Sequence, residues 1–466
     1  MKQQYIVLLI FIISFAACRT GKNYVRPELS MPAQYRGDTV LVNDTSTIPG
    51  YKTFFNNKKL VALIDSALFQ NRDMQIAAKN IESARLVFKR IKLNYMPELT
   101  AQVTGSYTRS SNNSLAGIGN SQFAGSYGIP DYTASMGLTW EIDLWGRIRR
   151  EKEESLANLV QTEEIKKGIQ TRLIADIANG YYNLLMLDEQ LKVALKSILL
   201  SDSTVQITTV LFRVGEANNL ALQQAKAQLE VARQLLPDLE RSIALQENAL
   251  SLLCGHYAHK IERTADDGND FNKEIKKAYP VAVLASRPDI MAAEQVLRAA
   301  NARVGITQTA MYPALTINGT GGLNSFKSSN WFAIPGSLFG NIAEGLAQPV
   351  FQRRKLRIQY EQAKIDREKA VIEFRQTVLQ GYADVSDALI SNQQLAMQYQ
   401  AARNRNQSLE QAVNSANTLF KTGMANYLEI IVAQNNYLQS SLNESQLSRE
   451  IAGGKIELYR ALGGGK

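Results

Sequence analysis

Residues 212–220 read FRVGEANNL, and residues 420–428 read FKTGMANYL. The two phrases share phenylalanine, glycine, alanine, asparagine and leucine at the same positions, 208 residues apart. Glycine can take the left-handed conformation that ends a helix, and asparagine can cap the start of the next one. Each phrase therefore predicts the turn of a helical hairpin, and the chain contains two such turns.

The repeat extends beyond the turns. YMPELT (95–100) matches MYPALT (311–316), and NGYYNLL (179–185) corresponds to QGYADVSDAL (380–389). EIDLWGRIRR (141–150) has a looser counterpart in LAQPVFQRRKLR (346–357). A period near 210 residues indicates two copies of one large unit, not a solenoid of small repeats.

Proline placement predicts very long helices. No proline lies between Pro130 and Pro237 or after Pro349, and an internal proline costs a helix about 3 kcal/mol. Apolar residues recur every seven positions before the first turn and at three- and four-residue steps after it, which favours left-handed coiled-coil packing. The first set is Ile177, Leu184, Leu191, Ile198, Val205 and Phe212; the second is Leu222, Ala225, Leu229, Ala232, Leu236, Leu239, Ile243, Leu250 and Leu253. The helix before each turn should be about 100 Å long at about 1.5 Å per residue, and Pro237 should kink the helix that contains it.

Strands are predicted at the other end of each unit. LTAQVTGSYT (99–108) and MGLTWEIDL (136–144) alternate apolar and polar residues, which is typical of a transmembrane β-hairpin. The Ser/Asn/Gly-rich segment between them is expected to be an exposed loop, and residues 314–323 and 337–349 fill the same positions with weaker alternation. Four strands cannot close a barrel and lipid excludes open sheet edges, so several chains must build one barrel.

The N-terminus has the features of a bacterial export signal. Lys2 precedes the apolar run YIVLLIFIISF, and Ala16 and Ala17 precede Cys18. This arrangement resembles a lipobox, so Cys18 is the predicted lipidation site; the alternative is an ordinary signal peptide. Arg19 follows where an aspartate would favour the inner membrane, so the outer membrane is the expected location. Cys254, the other cysteine, is expected to be a buried small hydrophobe.

Composition argues against several functional classes. The formal net charge of +9 is spread along the chain without a long basic run, which disfavours nucleic-acid binding. With two histidines and no nucleophile elbow, P-loop or zinc spacing, the chain is not expected to be an enzyme or to hold a cofactor. His256 and His259 could touch one metal, but a surface pair is the preferred interpretation.

Together, the lipobox, the repeated β-hairpin and helical hairpin, P-x-L-T, D-L-W-G-R and F-x-x-G-x-A-N resemble the outer membrane factor (TolC/OprM) family, in its NodT-type lipoprotein branch. The resemblance covers about residues 18–462. It implies an α+β membrane protein and a homotrimer, in which four strands per chain form a 12-stranded outer-membrane β-barrel. A periplasmic α-helical coiled-coil barrel continues it.

The resemblance also implies the partners and the function. A periplasmic adaptor and an inner-membrane RND pump would use the trimer as a passive exit duct for drugs, metals or other small molecules. A type I secretion channel is the near alternative. A surface coiled-coil lipoprotein is the distant one, because the amphipathic β-hairpins do not fit it.

The resulting division of the chain has five parts. Residues 1–17 are a signal peptide, 18–55 a lipid-anchored equatorial segment, 56–254 the first repeat, 255–285 an equatorial linker and 286–462 the second repeat. The first repeat has strands at about 98–110 and 133–145 and a helical hairpin at about 147–253 with its turn at 213–219. The second has strands at about 314–323 and 337–349 and a hairpin at about 353–462 with its turn at 421–427.

The recurrence of a basic residue in both turns suggests that they dock the adaptor, whereas a plain αα-turn explains only the glycines and asparagines. The predicted docking residues are Arg213, Gly215, Asn218, Lys421, Gly423 and Asn426. The family resemblance also implies an acidic periplasmic gate after the second turn. Alignment on Gly423 puts Glu429 there, with Val432 at a second acidic position and Ala221 at the equivalent place in the first repeat. Asn426 to Glu429 also reads N-x-x-E, a capping box, so gate and cap both remain open.

Overall fold

The computed structural model of the chain describes residues 20–32, 34–36, 49–264 and 281–464. Within these ranges one series of elements occurs twice. The first half contains α1 (Tyr51–Phe54), α2 (Lys58–Gln70), α3 (Arg72–Leu93), β1 (Glu98–Arg109), α4 (Leu115–Ala124), β2 (Gly128–Ile142), α5 (Arg147–Arg213) and α6 (Asn219–Leu253). The second contains a 3₁₀ turn (Val281–Ser286), α7 (Pro288–Thr309), β3 (Ala314–Ser325), a 3₁₀ turn (Ser328–Asn330), β4 (Leu338–Ala347), α8 (Lys355–Lys421) and α9 (Tyr427–Ala461).

Most matching elements of the two halves have equal lengths, although strands β2 and β4 have 15 and 10 residues. Helices α3 and α7 have 22 residues each, and strands β1 and β3 have 12. Helices α5 and α8 have 67 residues each, and α6 and α9 have 35. The internal repeat predicted from the sequence is confirmed.

The chain divides into two compact units. The first consists of Glu82–Gln161, Glu294–Glu373 and the N-terminal residues up to Pro27. The second consists of Glu28–Ile81, Thr162–Ala293 and Phe374–Lys466. All cut points except the one after Pro27 lie inside helices, and each unit takes segments from both halves of the repeat.

The first unit contains one four-stranded antiparallel sheet in the order β1-β2-β3-β4. Directly opposed residues of an antiparallel pair point to the same face. Two rows of opposed residues on one face are Leu99, Leu138, Gly319, Ile342 and Val103, Ala134, Leu323, Leu338; a row on the other face is Thr100, Gly137, Thr320, Asn341. The weak alternation of β3 and β4 thus belongs to one continuous apolar face, on which Glu344 is a charged exception.

The hairpin between β1 and β2 differs from the sequence-based expectation in two ways. Strand β2 begins at Gly128, about five residues earlier than expected, and includes Pro130 opposite Tyr107. Proline fits there because the β3 pairing of β2 starts only at Tyr132, so Pro130 has a neighbour on one side alone. The expected exposed loop also contains helix α4, whose first turn is capped by Ser114, which accepts a hydrogen bond from the amide of Gly117 at 3.0 Å.

The second unit holds the main hydrophobic core. Phe54 stacks on Tyr459 with ring centroids 4.5 Å apart and meets Phe55 edge-on at 4.9 Å. Around them pack apolar residues of α2, α5 and α9, including Leu60, Ile64, Ile174, Ile177, Tyr181, Leu184 and Ile456. Cys254 lies fully buried in this core, in agreement with its expected role.

Arg287 fastens the C-terminal end of α9 within the second unit. Its guanidinium donates to the carbonyl oxygen of Ala461 at 2.6 Å and to a carboxylate oxygen of Asp384, on α8, at 3.0 Å. Asp289 accepts a further pair of hydrogen bonds from it at 3.0 and 2.7 Å. A nearly buried charge is tolerated only when it is paired in this way.

The coiled-coil pattern is confirmed for α6 and needs correction for the end of α5. Most predicted positions of α6 are buried: Leu222, Ala225, Leu229, Ala232, Leu239 and Leu250. Towards the first turn, however, Ile198 and Val205 of α5 are only half-buried, and the buried residues are Ser197, Ser201, Thr204 and Thr208. Helix α6 continues through Pro237; the kink expected there stays a prediction.

Candidate functional site

The first candidate site is the turn between α5 and α6. Gly215 has a φ of +81°, and two backbone hydrogen bonds close the helix end around it. The amide of Glu216 donates to the carbonyl of Leu211 at 2.9 Å, and that of Gly215 donates to the carbonyl of Phe212 at 3.2 Å. This pair of bonds is the Schellman arrangement, which satisfies the last carbonyls of a helix.

The turn between α8 and α9 has the same backbone construction. Gly423 has a φ of +73°. The amide of Met424 donates to the carbonyl of Leu419 at 2.8 Å, and that of Gly423 donates to the carbonyl of Phe420 at 3.2 Å. The repeated sequence phrase therefore specifies the same turn twice, bond for bond.

Asparagine caps the helix that follows each turn. The side-chain oxygen of Asn218 accepts from the amide of Ala221 at 2.9 Å. That of Asn426 accepts from the amides of Leu428 at 2.9 Å and Glu429 at 3.1 Å. Because each cap satisfies backbone donors that would otherwise lack a partner, both turns are fixed at the start of the second helix as well as at the end of the first.

Both turns present open surface. A Cβ added to Gly215 or Gly423 would meet no atom of the described residues within 4 Å, and the predicted docking residues Arg213 and Lys421 are exposed. Apolar side chains accompany these cations: Val214 and Leu220 are 65% and 59% exposed, and Met424 and Leu428 are 72% and 52% exposed. Each turn thus offers a cation and apolar area together.

One difference separates the two turns. Phe212 is 41% exposed at the first turn, whereas Phe420 is 5% exposed at the second. The recurring phenylalanine is therefore part of the packed helix pair in one repeat and part of the accessible surface in the other. A partner that contacts both turns meets similar backbones with different apolar neighbours.

Glu429 is exposed in the first turn of α9. One carboxylate oxygen accepts a hydrogen bond from the side-chain amide of Asn426 at 3.3 Å. In a standard capping box the carboxylate accepts from the backbone amide of the capping residue, so this contact is a side-chain variant of the cap. Val432 is 49% exposed on the same helix. Ala221, which occupies the position of Glu429 in the first repeat, is buried.

Two other sequence-based predictions concern cysteine and histidine residues. Cys18 and the signal peptide fall outside the described residues. The rings of His256 and His259 lie edge to face with centroids 5.6 Å apart, and their nitrogens lie within hydrogen-bond distance of Ser66 and Ser251, respectively. Within the described ranges, no group of three or more His, Cys, Asp or Glu residues could hold a metal ion.

A cross-hairpin contact was not foreseen from the sequence. Lys196 of α5 donates to Glu410 of α8 and to the hydroxyl of Tyr437 of α9, both at 2.8 Å. The Lys196 hydrogen bond lowers the pKa of Glu410, and the same bond raises the pKa of Lys196. The three residues are more than 25 positions apart in sequence, so no local pattern could have revealed this link between the first hairpin and the second.

None of the helices in the described ranges has an apolar stretch long enough to cross a membrane.

Two long helical hairpins with matched turns, carried in one chain with a sheet that has a continuous apolar face, define the class of a channel-forming membrane export subunit. The chain belongs to the outer membrane efflux protein family, whose sequence profile matches residues 63–256 and 279–464. This family consists of channel-forming efflux proteins and is not an enzyme family.

Curated relatives match almost the whole chain. The cation efflux system protein CusC of Escherichia coli O6:H1 is 27% identical over 469 residues, covering 98% of this chain and 98% of its own length. The probable outer membrane lipoprotein SilC of Salmonella typhimurium is 28% identical, covering 98% of this chain and 97% of its own. Both similarities extend through the two repeats.

Solved structures share the fold. A chain from the crystal structures of CusC, determined to follow folding and transmembrane channel formation, matches with a TM-score of 0.87 at 24% identity. The match covers 96% of this chain and all of that one. The α+β channel fold expected from the sequence is confirmed.

Proposed function

We propose that this chain is the outer-membrane exit duct of a tripartite efflux system. The observation that carries the proposal is the pair of turns with the same backbone hydrogen bonds at the ends of two 67-residue helices, in a chain whose sheet has one apolar face. The sheet suits a lipid environment, and the turns suit contact with another protein. Family membership supports export across the outer membrane as the activity.

Three copies of the chain would form the duct. Four strands leave the outer edges of β1 and β4 without a neighbour in the described chain, and unpaired strand edges are excluded from lipid. Three four-stranded sheets joined edge to edge would close a barrel of 12 strands. In this arrangement residues 18–55 and 255–285 belong to a belt around the helical tunnel.

The partners are a periplasmic adaptor and an inner-membrane RND pump. A helix of 67 residues is about 100 Å long, which is enough to carry the turns far from the membrane. The turns at 213–219 and 421–427 would meet the adaptor, and Glu429 would line the periplasmic mouth. Cys18 would carry the lipid that anchors the chain in the outer membrane.

Metal cations are the first substrate class to test, because a relative that matches 98% of this chain belongs to a cation efflux system. A passive duct discriminates little between the molecules that pass through it, so the proposal also includes drugs as exported substrates. Deleting the gene should lower the minimum inhibitory concentration of copper or silver ions, or of a lipophilic dye, and the wild-type gene should restore it. Unchanged resistance to all three would contradict the proposed efflux role.

Trimer formation is tested on the purified chain in detergent. Cross-linking should stop at three copies, and circular dichroism should show both helix and strand. A water-soluble rod after removal of the lipid would favour a surface lipoprotein instead.

A further inference from the structure

The segment that follows β4 is strongly basic. Residues 350–357, here called the exit segment, read VFQRRKLR. Arg353, Arg354, Lys355 and Arg357 are all exposed, and no acidic residue occurs between Glu344 and Glu361. Val350 and Phe351, directly before them, are 92% and 84% exposed. The exit segment thus joins four cations to two large apolar side chains.

Two of these arginines hold an unfavourable backbone conformation. Arg353 has a φ of 49° and Arg354 a φ of 62°, and no other residue except glycine has a positive φ in the described ranges. Side chains with a Cβ enter this left-handed region at an energetic cost. At the same place in the first repeat, directly before α5, the chain has Gly146 with a φ of +81°. Arginine therefore occupies a position where glycine would have less backbone strain.

The cations of the exit segment are also unpaired. None of the four side chains makes a hydrogen bond or ion pair with the described part of the chain. In the first repeat the residues in register with Lys355 and Arg357 have ion-pair partners: Arg147 pairs with Glu141 and Glu151 at 2.5 and 2.7 Å, and Arg149 pairs with Glu153 at 3.9 Å. The two repeats thus use arginine differently after their second strand.

Helix electrostatics makes this arrangement less favourable still. Lys355 is the first residue of α8, and the first turn contains no acidic residue. The start of a helix carries a partial positive charge, so cations there repel it. Strain, missing partners and helix polarity all disfavour the four cations in the isolated chain. A bound anion would supply the missing hydrogen-bond partners and offset the repulsion from the helix start.

We propose that the exit segment binds the phosphate headgroups of anionic phospholipids in the leaflet where β4 leaves the membrane. The inference rests on the proposed function in that the strands cross the outer membrane. Strand β4 ends at Ala347, three residues before Val350, so the segment lies where the sheet gives way to helix. The arginine guanidinium can bind two phosphate oxygens through two parallel hydrogen bonds. Apolar side chains beside it can enter the boundary between lipid headgroups and acyl chains.

Native mass spectrometry of the full trimer tests the proposal with a mixture of phosphatidylglycerol and phosphatidylcholine. The wild-type chain should retain phosphatidylglycerol preferentially, and R353G/R354G should lower that preference about tenfold, because each basic residue at an anionic surface contributes to binding. The preference should weaken as salt rises. Since glycine relieves the left-handed strain, the thermal midpoint of R353G/R354G should equal or exceed that of the wild type.

R367Q/K369Q is the matched control. It removes two exposed charges at least 10 residues further along α8, about 15 Å away at 1.5 Å per residue, and should leave lipid preference unchanged. An unaltered preference in R353G/R354G, or an equal loss in the control, would overturn the proposal. Loss of the preference on adding millimolar inorganic phosphate would also overturn it, in favour of a site for small anions. A wild-type chain that fails to form trimers or enter membranes would instead contradict the proposed function.

Discussion

Gly215 and Gly423 are the residues on which both hairpin turns depend, since each holds the left-handed position that ends a helix. No atom of the described chain lies within 4 Å of a Cβ added at either position. A substitution therefore costs only backbone strain, about 1–2 kcal/mol, while anything docked against the turn meets a new obstacle. Folding and docking can be separated at these positions.

Gly215→Trp and Gly423→Glu should abolish efflux while trimers still assemble. Gly215→Asn and Gly423→Asn are the matched controls, because asparagine tolerates the left-handed region better than other side chains and is small. Minimum inhibitory concentrations and the size of the purified trimer are the measurements. If resistance is unchanged in the tryptophan and glutamate variants, the turns are not the docking surface.

Glu429→Gln separates the gate from the cap. Glutamine can accept the same hydrogen bond from the Asn426 side chain, so trimer stability should stay within about 0.5 kcal/mol of the wild type, the usual range for a surface change. A ring of three carboxylates would attract cations, and its loss should weaken cation preference and block by multivalent cations in planar bilayers.

Glu216→Gln is the control for that experiment, since it removes an exposed carboxylate at the other turn. It should leave selectivity as it is if the acidic ring belongs to the second hairpin alone. Unchanged selectivity and block in Glu429→Gln would leave only the capping role.

At the scale of elements, the sequence predicted what depends on local chemistry. The glycines and asparagines of the repeated phrase indicated where both turns lie, because a left-handed backbone favours glycine and a helix N-cap favours asparagine. Buried Ser201 and Thr208 could not be predicted from apolar periodicity. Thr208 can be buried because its hydroxyl bonds to its own helix, at the carbonyl of Thr204, at 2.7 Å. The buried hydroxyl of Ser201 has no hydrogen-bond partner in the described chain.

Strand β2 shows the other limit of local pattern. Its first residues, which include Pro130, carry no alternating signal, and pairing with β1 is what extends the strand. Helix α4 was missed for the opposite reason. Its Ser114 cap and the left-handed Gly125 at its end are local signals inside a composition typical of loops. A prediction based on long stretches of regular apolar spacing detects neither long-range strand pairing nor short capped helices.

The contact of Lys196 with Glu410 predicts a pH-dependent coupling between the two hairpins. The lowered pKa of Glu410 means that its share of the stability is present above the ordinary value of about 4.3 and is lost as pH falls through the folded-state pKa. The raised pKa of Lys196 means that its share is present below about 10.4 and is lost as pH rises through the folded-state value.

A double-mutant cycle with Lys196→Met and Glu410→Gln should give a coupling free energy of at most about 1 kcal/mol at pH 7, because both side chains are half-exposed. The coupling should weaken at pH 3, since protonation removes the charge of Glu410. Thermal unfolding of the four proteins at both pH values measures it. An equal coupling at the two pH values would show that the ion pair does not link the hairpins.

At the scale of the whole molecule, the two cysteines should differ in chemistry. Cells grown with a clickable fatty acid should label the wild-type chain and not Cys18→Ala, because acylation needs the thiol. Export should survive the substitution if the barrel is itself an anchor. Label retained in Cys18→Ala would contradict lipidation at this residue.

Cys254 supplies an internal check on the same sample. Burial raises the pKa of its thiol to about 11, so few thiolates exist at pH 7 and a maleimide should react only after unfolding. Rapid labelling of the native wild-type chain, lost in Cys18→Ala, would reveal a free thiol at position 18. Rapid labelling that persists in Cys18→Ala would contradict the buried position of Cys254.

The unpaired outer edges of β1 and β4, as far as the described chain shows them, have a genetic consequence. In a ring of three subunits, β4 of each chain pairs with β1 of the next. A chain damaged only in β1 can therefore still pair through β4, but it prevents closure of the barrel. One defective copy would disable the duct that incorporates it. If defective and normal chains are made in equal amounts and mix freely, only about one duct in eight is assembled entirely from normal chains. Loss-of-function alleles that spare β4 would therefore be dominant in cells that also carry a normal gene.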